Sequence, residues 1–228
     1  MLCVQGVISP LLANLFLHYT FDVWMTKNYP QAPWCRYADD GLVHCRSVKE
    51  AQEIRLALEA RFAECGLQMH PAKTKIVYCK DERRTGTHEH TKFTFLGYEF
   101  RGRGVKASKT GNLFTGFTAA VSPAALTAMR QKARRLNYRN RPDLSLQDIA
   151  AKLNPILRGW IAYYGRFQPS ALAPLYRHIN TSLVAWARRK YKRFRNSKTR
   201  AGTFLQKVSR KCPQLFAHWK LGTAGAFA

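Results

Sequence analysis

Acidic residues are what this 228-residue chain has least of for its size. Thirteen Asp and Glu stand against 38 Lys and Arg, a net charge of +25. That imbalance points to a polyanionic partner, with nucleic acid well ahead of a membrane surface. Long apolar runs are missing too. None approaches the ~20 residues of a bilayer span, and the N-terminus has no secretory leader pattern, which leaves a basic membrane-surface protein as a minor alternative. The six cysteines, at 3, 35, 45, 65, 79 and 212, include no Cys-x-x-Cys pair. Cys65, His70, Cys79, His88 and His90 can be assembled into a zinc set only on paper. Isolated thiols are common core residues, and a reducing cytoplasm suits them best. Repeats, low-complexity tracts and long linkers are likewise absent. What is present is ordinary apolar content, 46% of residues, enough for a packed core.

The acidic deficit is uneven. Only Asp143 and Asp148 fall in residues 122–228, beside 22 basic residues. That half carries +20, and residues 1–121 only +5. A polyanion is expected to dock on the C-terminal half. The pattern also changes near Ser122, from short strands and turns to helical periodicity, so the chain divides into 1–121 and 122–228.

In the first part, Trp34-Cys35-Arg36-Tyr37-Ala38-Asp39-Asp40-Gly41-Leu42-Val43-His44-Cys45 reads as a β-hairpin. The flanking runs are rich in aromatic, apolar and cysteine residues, and Asp-Asp-Gly is a turn signal. Two adjacent carboxylates at a tip repel each other and favour a cation. Hard oxygen ligands suit Mg²⁺, which takes one or two carboxylates and completes its shell with water and phosphate oxygens. A bare Asp-Asp turn is more often simply solvated, so the surrounding sequence has to decide.

The neighbouring segments predict a helix, a hairpin and a helix, then short strands. Ser9-Pro10 opens a helix with Ser as N-cap, and Leu12, Leu15, Phe16, Tyr19 and Val23 form the stripe expected to pack under the hairpin. Ser47-Val48-Lys49-Glu50 fits a capping box, with Ile54, Leu58 and Phe62 on one face and Gly66 as the stop. Strands are expected at Lys75–Cys79, Phe93–Phe100 and Leu113–Thr118, with a polar loop over 80–92. Beyond Ser122-Pro123, three amphipathic helices follow. Their stripes are Leu126, Met129, Ala133 and Leu136; Ile149, Leu153, Ile156, Trp160 and Tyr164, with Pro155 as a kink; and Leu172, Leu175, Ile179, Leu183 and Trp186. Arg130 and Arg134 lie off the first stripe. The third helix runs into Arg188-Arg189-Lys190-Tyr191-Lys192-Arg193-Phe194-Arg195, where interleaved aromatics suit phosphate neutralisation and base stacking.

Tyr37-Ala38-Asp39-Asp40 on a hairpin resembles the catalytic motif of reverse transcriptases. Gly6-Val7-Ile8-Ser9-Pro10-Leu11-Leu12-Ala13-Asn14-Leu15, Phe95-Leu96-Gly97-Tyr98, Leu157-Arg158-Gly159-Trp160 with Tyr163-Tyr164-Gly165, and Leu215-Phe216-Ala217-His218-Trp219 extend that resemblance. In their order they are similar to the group II intron-encoded reverse transcriptase/maturases. The resemblance implies an α+β fold: a partial palm over 1–121, then an all-α thumb or maturase domain over 122–228. It implies RNA-directed DNA synthesis with deoxynucleoside triphosphates on an RNA template and DNA primer, and Mg²⁺ in a two-metal site held by Asp39 and Asp40. Lys73 is expected near the triphosphate. Tyr37, Ala38, Gln5, Gly6, Leu96, Gly97 and Tyr98 are expected near primer or nucleotide. Intron RNA is expected to meet Arg130, Arg134, Arg158, Arg188, Arg189, Lys192, Arg193 and Arg195. A bacterial-type cytoplasmic setting is implied, or an organelle.

The chain also departs from that pattern. Val4-Gln5-Gly6-Val7 is one glycine short, and the family has more than a hundred residues before it. A truncation, a frameshift or a misplaced start each accounts for this, and an upstream fragment is then an expected partner. The family's third carboxylate comes from an earlier palm strand. Asp22 is the only acidic residue before Asp39, and it sits in a helix pattern. Two rival readings follow: a non-enzymatic intron-RNA-binding splicing factor, or an inactive remnant.

Overall fold

The computed structural model describes residues 8–84, 86–107, 110–222 and 227. Helices alternate with small antiparallel sheets in an α+β arrangement. The described chain forms two compact units. One runs through Tyr78 and includes His88–His90. The other holds Cys79–Thr87 and everything from Thr91 onward. No helix among the described residues is long and apolar enough to cross a membrane.

The first unit opens with a continuous helical rod: α1 at Ser9–Leu17, a π-helical stretch at His18–Val23 and α2 at Trp24–Asn28. The helix starts at Ser9 itself, with Ile8 in the cap position, one residue earlier than the sequence suggests. Strands β1 (Trp34–Tyr37) and β2 (Asp40–Val43) form the expected hairpin, paired Tyr37 to Asp40 at its end. Helix α3 (Val48–Glu64) begins with half of the expected capping box, because Glu50 bonds one residue before the Ser47 cap. Ser47 Oγ accepts the Glu50 N–H at 3.1 Å, and Glu50 reaches back to the Arg46 N–H. It ends in a Schellman turn, with Gly66 N–H to Ala63 O and Leu67 N–H to Phe62 O. Gly66 has φ +70°, a backbone conformation that costs a glycine little.

The core here is small: Phe21, Met25, Ala32, Ile54 and Leu58. The predicted α1 stripe does not pack. Leu12, Leu15, Phe16, Tyr19 and Val23 are all exposed. The residues that meet the hairpin lie elsewhere on the rod. Phe21 stands edge-on to Trp34, and a Cβ on Gly41 would come within 3.6 Å of its ring. Helix α1 has no buried residue, so its stripe is left uncovered, and the buried residues of the rod, Thr20, Phe21 and Met25, lie in the π stretch and α2.

The second unit begins with a sheet of order β3-β4-β5: Lys92–Phe95, Tyr98–Lys106 and Leu113–Val121. The single strand expected over Phe93–Phe100 is thus a hairpin turning at Leu96-Gly97. The last strand is longer than expected. Lys75–Cys79 is not a strand, because it finds no ladder; Tyr78 N–H to His90 O is its one backbone bond outside a turn.

Four helices follow where three were expected: α4 Pro123–Arg135, α5 Leu146–Tyr164, α6 Ala173–Lys190 and α7 Lys198–Lys211. Serines 122, 145 and 197 cap α4, α5 and α7, and Asp148 completes a capping box at α5. Helix α5 runs unbroken through Pro155. Helix α7 was hidden by its five basic residues, yet Ser197 and the buried Ala201 and Leu205 at i, i+4 spacing mark it. These helices share one core, in which Leu153, Leu157, Leu175, Ile179, Leu183 and Trp186 are fully buried.

The segment after α7 closes that core. Phe216, His218 and Trp219 are buried, and both His218 Nε2 and Trp219 Nε1 sit on Asn180 Oδ1, at 2.8 and 3.2 Å. Burial pulls the His218 pKa down from its ordinary 6.5 to about 3. The imidazole is therefore neutral when folded and takes up a proton on unfolding as pH falls through 6.5. Stability from this group is full above that value and is lost progressively below it. Between pH 7 and pH 5 the loss amounts to about 2 kcal/mol by linkage. Urea unfolding of the full chain should show this acid sensitivity, and His218→Gln should flatten it. An unchanged pH slope in that variant would contradict the assignment.

Candidate functional site

The two carboxylates stand on the β1–β2 tip. The turn is Ala38-Asp39, one residue earlier than Asp-Asp-Gly suggests, so Asp40 already belongs to β2. Ala38 has φ +53°, a left-handed conformation that costs a residue with a Cβ on the order of 1 kcal/mol. One guanidinium offsets that strain. Arg36 Nη1 donates to Ala38 O at 2.8 Å and to Asn14 Oδ1 at 3.0 Å. Its Nε and Nη2 form a two-pronged pair with Asp22, both at 2.7 Å. Arg36 thus ties the strained tip to the π-helical stretch and to α1. The pairing holds Asp22 below the usual carboxylate range and Arg36 above its own ordinary value.

Asp39 and Asp40 themselves are solvent-exposed, as are Tyr37 and Ala38. No set of three His, Cys, Asp or Glu converges on a metal position among the described residues, which also leaves the zinc set without support. Asp22 is no substitute third ligand, since both its oxygens accept from Arg36. Adjacent carboxylates and solvent can begin the shell of one hard cation, but the described residues do not complete a two-ion site. Lys73 lies in an exposed turn after His70, and no hydrogen bond or ion pair among the described residues links it to the tip. Gln5 and Gly6 lie outside the described residues.

Leu96, Gly97 and Tyr98 belong to the second unit, where α5 fixes them. Both loop residues have positive φ, +50° and +78°, the pattern of a type I′ hairpin turn. The Tyr98 hydroxyl, whose pKa burial pushes up, donates to Tyr163 O, and the Tyr163 hydroxyl donates to Leu96 O at 3.0 Å. A Cβ on Gly97 would lie 2.6 Å from the Tyr164 hydroxyl, so glycine is required there twice, by φ and by space. Tyr163 and Phe167 remain about half exposed beside this turn, at 48% and 59%. Sequence reading missed this reciprocal clamp because it joins residues 65 or more positions apart.

The basic residues divide into engaged and available ones. Arg188 donates Nε and Nη2 to Arg195 O and so braces the turn after α6. The Arg193 guanidinium lies over Phe194 at 4.6 Å and near Tyr191 and Phe204. Phe194 is buried and Tyr191 half-buried against Trp186 and Phe204. These two aromatics fill the core and are not presented for base stacking, contrary to expectation. Arg134, Arg158, Arg189, Lys192 and Arg195 are exposed, and Arg130 is half-buried.

The Arg36 pair is the feature of the first unit most open to test. With side-chain exposures of 12% and 16%, removing one charge strands the other in a mostly desolvated place. Asp22→Asn should destabilise the hairpin by about 2–4 kcal/mol. Amide exchange of Arg36–Gly41 should accelerate while α6 and α7 stay protected; uniform protection in the variant would rule this role out.

Two family models match, in the chain order that the motifs suggest. Reverse transcriptase (RNA-dependent DNA polymerase) matches residues 3–100, which include the Tyr37–Asp40 tip and the Leu96–Tyr98 turn. Group II intron, maturase-specific domain matches residues 126–202, from α4 into α7. No curated protein matches the chain. With a reverse-transcriptase region followed by a maturase-specific domain, the chain belongs to the group II intron reverse transcriptase/maturases.

Proposed function

We propose that this chain acts on group II intron RNA chiefly as a binding protein, through residues 122–228, and that its Asp39-Asp40 tip polymerises only with further palm residues. The observation that carries the reading is the uncompensated basic surface of the helical half. It has two carboxylates for 22 basic residues, and both are already engaged, Asp143 with Arg141 and Asp148 with the α5 cap. In this reading residues 1–121 are palm-derived and 122–228 form the thumb.

The family's reaction uses a divalent cation, and Mg²⁺ is the natural choice for Asp39 and Asp40. The residues of this chain supply two of the carboxylates such a site needs. Arg36 keeps the tip in place, while Tyr37 and Ala38 border the position where a primer end would come. Lys73, exposed in its turn, is free to meet the triphosphate of an incoming deoxynucleotide. The uncovered apolar face of α1, with Leu11, Leu12, Leu15 and Phe16, favours a further palm segment as partner.

Binding is tested by salt titration with cognate intron and control RNA. Log affinity should fall steeply with log salt. Arg189→Gln with Lys192→Gln should flatten the slope by about 1.5, because both side chains are exposed and neither braces the turn. Arg158→Gln should instead narrow the gap between intron and control. Equal affinity for both RNAs at every salt concentration would leave only a generic polyanion binder.

Catalysis has a separate test. The purified chain should extend an RNA-templated primer weakly or not at all, since two carboxylates on an exposed tip do not hold the reacting groups in line. Robust extension that Asp39→Asn abolishes would overturn this half of the proposal.

A further inference from the structure

Helix α4 carries Arg130 and Arg134 one turn apart, on one face. The helix ends at Leu136, and Asn137, at φ +50°, turns the chain back into the short 3-10 stretch Tyr138–Asn140. Tyr138 enters the core, and burial pushes its phenol up to about 12, with Ser182 of α6 pulling the other way. That insertion sends the next residue, Arg139, outward. On α6, Ser182 Oγ donates to His178 O, so His178 lies one turn from the Tyr138 anchor. Helix α4 and the 3-10 stretch both pack against α6, so these arginines come from the two elements that border the helix carrying His178.

The charge balance here is unusual. Among the described residues none of these arginines has a carboxylate within ion-pair distance. Arg130 Nε and His178 Nε2 are both shut off from solvent without a protein hydrogen-bond partner. Arg134 and Arg139 are exposed, but Arg130 is half-buried with an unpartnered Nε, so an anion docked there gains more than one at the open surface.

We propose that Arg130, Arg134 and Arg139, gathered around His178, form a single phosphate-binding site for the RNA backbone. The site rests on the RNA-binding reading above and adds a regulation to it. Burial, then Arg134, Arg130 and Arg139, hold the His178 pKa below 6.5 in the free chain. The charged groups acting on it are Arg134 and Arg130 from α4 and Arg139 from the 3-10 stretch; Tyr138 of that stretch is buried, and the sequence neighbour Arg177 is exposed. A docked phosphate cancels the arginine field, so His178 titrates at higher pH in the complex. Binding then takes up a proton, and affinity rises as pH falls through the His178 pKa of the complex.

The test uses the full chain with labelled histidine, read by NMR across pH 5 to 8. The His178 pKa should rise when a short RNA duplex is bound, and RNA affinity should be about three- to tenfold greater at pH 5.5 than at pH 7.5. The pH effect should vanish in His178→Gln. Arg134→Gln with Arg139→Gln changes two exposed side chains, so the fold should persist. That variant should raise the free-chain His178 pKa and flatten the salt slope by about 1.5. RNA binding that leaves the His178 pKa unmoved would overturn the site while sparing the RNA-binding reading. A pKa that responds to inorganic phosphate but not to RNA would overturn the RNA backbone as its ligand. Absence of any RNA binding at low salt would instead overturn the reading on which the proposal rests.

Discussion

The two-pronged pair between Arg36 and Asp22 is the contact on which the candidate catalytic tip depends. A two-residue hairpin loop with alanine at positive φ is strained, and a small core of five buried side chains does little to stabilise it. Arg36 spends each of its nitrogens on a different part of the problem. Two hold a carboxylate on the helical rod, and one reaches both the Ala38 carbonyl and Asn14. Lysine has no such fork and could not replace it. The same pair removes Asp22 from any catalytic role, since a carboxylate saturated by a guanidinium is a poor metal ligand. Asp22 thus serves positioning, and Asp39 and Asp40 are left free of that duty.

The helical unit is stabilised differently. Its capping serines, its long run of fully buried aliphatics and the Asn180–His218–Trp219 cluster are all internal. Several basic side chains are structural as well. Lys190 donates to the Pro142 and Leu144 carbonyls, and Arg188 to that of Arg195. Backbone carbonyls thus take over part of what carboxylates do in proteins of balanced charge. Apart from Arg141, paired with Asp143, the other arginines and lysines of this half have no carboxylate in ion-pair distance among the described residues, which costs stability by repulsion and gives affinity for a polyanion.

The legible parts of the chain were those written in local chemistry. Ser47 with Glu50, Ser122 with Pro123, Ser145 with Asp148, and Gly66 each act within a few residues, so each helix boundary could be read directly. The hairpin was legible, but its turn was displaced by one residue, because nothing local announces that an alanine will be forced into positive φ. The α1 stripe failed for a different reason: periodicity marks an apolar face but not whether a partner covers it, and α1 has no buried residue. Phe194 and Tyr191 looked like stacking residues because their neighbours are basic, but burial is decided by α7, whose own pattern was masked by charge. The Arg36–Asp22 pair and the Tyr98–Tyr163 clamp join residues 14 and 65 positions apart, beyond what spacing can signal.

Binding and chemistry make different physical demands on this chain. Phosphate neutralisation tolerates small errors in position, since attraction between a guanidinium and a phosphodiester falls slowly with distance. In-line phosphoryl transfer does not, because misplacement by about 1 Å can cost two orders of magnitude in rate. The helical half meets the first demand with its own core, caps and uncompensated arginines. The hairpin meets only part of the second. Arg36 fixes where the tip lies, but Asp39 and Asp40 are exposed, and nothing among the described residues fixes their side chains. A basic surface therefore tolerates a looser scaffold than a pair of tip carboxylates does.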